Sequence, residues 1–63
     1  MSMSLTKAKA VAKNPELYTA PELDDALTTI VESPDLSERQ VTRLQAKIDP
    51  VLRALIAARD GAS

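Results

Sequence analysis

Apolar residues recur along this chain at spacings of three and four, and never in sustained alternation. That is the period of a helix with one buried stripe, so the chain reads as all-α. The first patterned stretch, LTKAKAVAK, runs from Leu5 to Lys13, with Ser4 as a candidate N-cap. Leu5, Ala8 and Ala12 share one side with Val11 beside them. Asn14-Pro15 stops it, because a residue before proline is pushed out of the helical region. The face is thin and the segment short, and isolated helices under about 12–15 residues are marginal. The expectation is a loosely docked or frayed helix.

The second stretch opens on YTAPEL, with Thr19 at the N-cap and Glu22 three residues on, a capping box. Tyr18 and Leu23 are spaced as a hydrophobic staple, and Pro21 lies in the first turn, where its missing N–H costs nothing. Leu23, Ala26, Leu27, Ile30 and Val31 then form the stripe, and Ser33-Pro34 ends it. This predicts a helix over about 20–32.

The third stretch repeats the device. Ser37 caps, Gln40 stands at N3, and Leu36 and Val41 are the staple pair. Val41, Leu44, Ile48, Val51, Leu55 and Ala58 then alternate in steps of three and four, close to a heptad seam. Gly61 stands where a glycine just past a helix end belongs. Asp49-Pro50 interrupts the pattern, which permits either one helix kinked at Pro50 over about 38–60 or two helices, the second capped by Asp49. The seam keeps its phase across the proline, which favours the kinked helix. The architecture predicted for residues 1–63 is a single helical domain. It is a helical hairpin or three-helix unit with a short N-terminal helix, completed as a homodimeric helical bundle.

Length sharpens the last point. In 63 residues one core rarely supplies more than about 3–5 kcal/mol, so small chains lean on a disulfide, a metal or a partner. The chain has no Cys and no His, which removes disulfides and thiolate or imidazole metal sites and leaves a partner chain. At 100° per residue, Ile48, Val51, Leu52, Leu55, Ile56 and Ala58 spread over an arc of roughly 160°. One short antiparallel helix needs less than that. The dimer interface is therefore placed on Val41, Leu44, Ile48, Val51 and Leu55. A partner-binding surface is placed on Tyr18, Leu52, Ile56 and Arg59, since Arg at the rim of an apolar patch is a common interface composition. In the competing arrangement a monomeric three-helix bundle absorbs the width, with Leu5 and Val11 covering the flank.

The charge pattern runs plus, minus, plus. Lys7, Lys9 and Lys13 come first without an acid among them, and the stretch from Glu16 to Glu38 carries no base. Arg39, Arg43 and Lys47 then form a stripe opposite the apolar seam, which suggests a helix-turn-helix DNA reader as the alternative function. Acidic neighbours such as Asp35 and Glu38, a turn without Gly and a net charge of −1 argue against it.

Catalysis has little to work with. Ser4-Leu5-Thr6-Lys7 has the S-x-x-K spacing, but on a terminal helix in a chain too short for an acyl pocket. Asp24 and Asp25 are adjacent, so on a helix they point about 100° apart and do not converge on one metal. No glycine-rich phosphate loop occurs. The expected function is that of a non-enzymatic helical protein without cofactor. It binds another protein, as adaptor, inhibitor or accessory regulator, through an apolar helix face. No apolar run approaches the roughly 18 residues of a membrane span and no apolar targeting segment is present, so the expected location is the cytoplasm.

Overall fold

A computed structural model describes residues 3–61 of the chain. Three helices follow one another: α1 (Leu5–Lys13), α2 (Ala20–Glu32) and α3 (Glu38–Gly61), with a 3₁₀ turn at Pro15–Leu17 between the first two. Among the described residues there is no strand.

Each helix starts where a side chain can satisfy orphan backbone donors. The Lys7 N–H donates to Ser4 Oγ at 3.2 Å, so Ser4 caps α1. The Glu22 carboxylate accepts from the Thr19 backbone N–H (3.4 Å) and from the Thr19 hydroxyl (2.9 Å). At α3 the exchange is reciprocal: the Ser37 N–H donates to Gln40 Oε1 at 3.0 Å, and the Gln40 N–H donates to Ser37 Oγ at 3.3 Å. Pro50 lies inside α3, which continues through it as one helix. Asp49 therefore caps nothing; it sits beside the proline and forms an i,i+4 ion pair with Arg53 at 3.3 Å. That pair spans the turn after Pro50, while the missing Pro50 hydrogen bond to the Ala46 carbonyl belongs to the turn before it. Gly61 is the last residue of α3 rather than the residue beyond its end.

The core draws on all three helices. Ala8, Val11 and Ala12 of α1, Leu23, Ala26 and Ile30 of α2, and Ile48 of α3 are buried. Leu27, Leu36, Val41, Leu44, Val51, Leu52, Tyr18 and Met3 pack against them. This corrects the expectation of a frayed first helix. The physical reason is the size of Ala8 and Ala12: small side chains let helix axes approach closely, and Val11 then reaches the centre. α1 is held further by the Thr29 hydroxyl, which donates to the Met3 carbonyl at 3.2 Å. Val31 is a second correction. Placed on the α2 stripe, it lies at its edge and is 54% exposed.

Neighbouring side chains give the directions. Leu5 lies beside Thr29 and Glu32, so α1 starts where α2 ends. Leu27 faces Thr42, Ala46 and Asp49, while Ala20 and Pro21 flank Leu52 and Ile56, so α3 runs back along α2. At 1.5 Å per residue α3 is about 36 Å long and α2 about 20 Å. The longest dimension of the molecule is 40 Å, and α3 accounts for most of it.

Candidate interaction surfaces

The five positions expected at the dimer interface divide into two groups. Ile48 is fully buried in the chain's own core, and Val41, Leu44 and Val51 pack against that core half-buried. Leu55 is different: it is 38% exposed. From Arg53 to Asp60 every residue is exposed, Leu55 and Ile56 included. Leu55 and Ile48 point in nearly the same direction around α3, since seven residues make almost two turns. What separates them is height along the axis. Ile48 is enclosed in the core shared by α1 and α2, whereas the outer turns of α3 are flanked by the start of α2, which reaches as far as Arg59 but leaves Leu55 partly open.

Three of the four partner-binding positions come together. Leu52, Ile56 and Arg59 line a groove of about 440 Å³ whose other wall is Ala20, Pro21 and Asp24 at the start of α2. Leu52 is half-buried and Ile56 is 48% exposed, so the groove floor is apolar and Asp24 and Arg59 put charge at its edge. The fourth, Tyr18, is not in this groove. It packs on the core, and the Lys7 ammonium sits 4.8 Å from the centre of its ring, a cation–π contact.

The cationic stripe is also divided. Arg39, Arg43 and Lys47 are all exposed. Arg39 shares an open surface of α3 with Glu38, Thr42, Arg43 and Ala46. Arg43 and Lys47 turn toward α1, where with Lys9, Lys13, Gln40, Leu36 and Leu44 they line a groove of about 360 Å³. Reasoning from the sequence did not place Lys9 and Lys13 there. The available signal was the acid-free first block of lysines together with their i,i+4 spacing.

Among the described residues no group of three or more carboxylates is placed to hold a metal ion. No buried polar or charged residue appears among them either, so no enclosed acid or base is on view. Among the described residues no helix is long and apolar enough to cross a membrane. No protein-family model, curated protein or solved structure matches the chain.

Proposed function

We propose that this chain is a cytoplasmic, non-enzymatic binding protein, an adaptor, inhibitor or accessory regulator, whose working surface is the C-terminal half of α3. The observation that carries this reading is the eight-residue exposed run from Arg53 to Asp60, which holds both Leu55 and Ile56. Leu55 and Ile56 point about 100° apart, but half-buried Leu52 lies one turn before both, at i−3 and i−4, and joins them into one apolar surface.

Self-association is the first step in this proposal. Two copies related by a two-fold axis pair the exposed ends of α3 and complete a helical bundle. The interface is then shorter than the whole seam and centres on Leu55, because Val41, Leu44, Ile48 and Val51 serve the core of each copy. A partner protein seats an apolar side chain between Leu52, Ile56 and Arg59 on one side and Ala20 and Pro21 on the other. Sedimentation equilibrium over a concentration series tests the first step. A dimer mass that Leu55→Asp converts to a monomer, with helicity unchanged, supports it. A monomer at every concentration removes it.

A second reading is favoured by the exposure of Arg39, Arg43 and Lys47 at i,i+4 spacing on α3. In it, these three contact a DNA backbone. Against it stands the packing of α3 back along α2, since a helix-turn-helix pair crosses at about 90–120°. Gel-shift titration across salt separates the readings: backbone binding weakens steeply as salt rises.

A further inference from the structure

We infer that the groove between α1 and the first half of α3 is a second docking site, distinct from the exposed end of α3, and that it takes an acidic amphipathic segment of another protein. Its walls are Lys9 and Lys13 on α1 and Arg43 and Lys47 on α3, and its floor holds Leu36 and Leu44. Both walls use an i,i+4 pair, so each presents two cations about one helical turn apart. Among the described residues no carboxylate lines the groove. All four cations are exposed, and both leucines are half-buried.

Lys13 suits the dipole at the end of α1, but that local reason does not extend to facing the α1 pair against the α3 pair across one cleft. Four exposed like charges around one cleft give it a positive potential that draws in an anion. The two parts of the groove together define the ligand. The rim asks for several negative charges spaced over more than one turn. The floor asks for apolar side chains that cover Leu36 and Leu44. A helical segment with Glu or Asp on its flanks and Leu-like residues on its face supplies both, in the helix-in-groove mode. A nucleic acid supplies only the first. Phosphates leave the leucine floor uncovered, and the groove has no aromatic side chain on which a single-stranded base stacks.

The test is a fluorescence-anisotropy titration of the full chain with labelled synthetic peptides of about 15 residues. One peptide carries Glu and Leu at helical spacing; a second replaces each Leu by Ser; a third ligand is a short DNA duplex. The expected result is saturable binding of the Glu/Leu peptide. Loss of roughly tenfold or more in affinity is expected for the Ser peptide and for the Lys13→Glu, Lys47→Glu double variant. Both substituted residues are exposed, so circular dichroism of the variant should match that of the parent chain. Three results overturn the inference. DNA binding as tight as the Glu/Leu peptide, with a steep salt dependence, makes the groove a phosphate track. No binding of any ligand up to about 1 mM makes it a solvated cationic rim. Concentration-dependent self-association lost equally in the double variant and in Asp25→Lys makes the occupant the acidic α2 face of a second copy.

Discussion

The hydroxyl of Thr29, near the end of α2, lies 3.2 Å from the carbonyl of Met3, just ahead of α1. Twenty-six residues separate the two, so this contact reports the docking of the first helix rather than any local preference. The same hydroxyl stands 2.9 Å from the Asp25 carbonyl one turn back, and its single proton is shared between the two acceptors. Thr29→Val keeps the shape and removes the donor. It should lower unfolding free energy by about 0.5–1.5 kcal/mol, read from urea denaturation. The amides of α1 should lose hydrogen-exchange protection more than those of α3. Equal loss throughout would mean that the bond does not hold α1 in particular.

The close approach of α1 depends on Ala12. It is 1% exposed and lies in the core where α1 meets its neighbours. Ala12→Leu should destabilise the chain by about 1–3 kcal/mol by overpacking, even though Leu has the higher hydrophobicity. A stabilised Ala12→Leu variant would show that a void lies beside α1.

Ile48 and Leu55 share a direction on α3 but not a burial, and mutation should separate them. Ile48→Ala is expected to cost about 2–5 kcal/mol, enough to unfold most of a domain of this size. Leu55→Ala should cost the isolated monomer less, about 1 kcal/mol, because Leu55 is 38% exposed. Thermal denaturation at low protein concentration checks the contrast. Similar melting temperatures for the two variants would place Leu55 inside the monomer core.

Ser37 and Gln40 cap each other at the start of α3. Ser37→Ala should remove about 0.5–2 kcal/mol, while Ser37→Asp, which keeps an acceptor, should cost little. An equal loss in both variants, measured by urea denaturation, would mean that the Leu36 and Val41 packing holds this corner and the cap does not.

Local rules made much of this molecule legible from its residues. Ser4, the Thr19–Glu22 pair and the Ser37–Gln40 pair announce each helix start, because capping acts within four residues and needs no tertiary partner. The continuity of α3 through Pro50 followed from the unbroken phase of its apolar seam. The direction each helix faces was also readable, since Leu23, Ile30 and Ile48 point inward as their periodicity requires. Cover was not readable. A helical wheel records angle and discards height, so it placed Ile48 and Leu55 on one surface although Ile48 is fully buried and Leu55 stays 38% exposed. It also undervalued Ala8 and Ala12, whose contribution is the short distance they permit between helices. Lys9 and Lys13 come to face Arg43 and Lys47 only when α1 settles against α3. Sequence fixes where helices begin and which way they face; the lengths and spacings of their neighbours decide which apolar positions become core and which stay open for a partner.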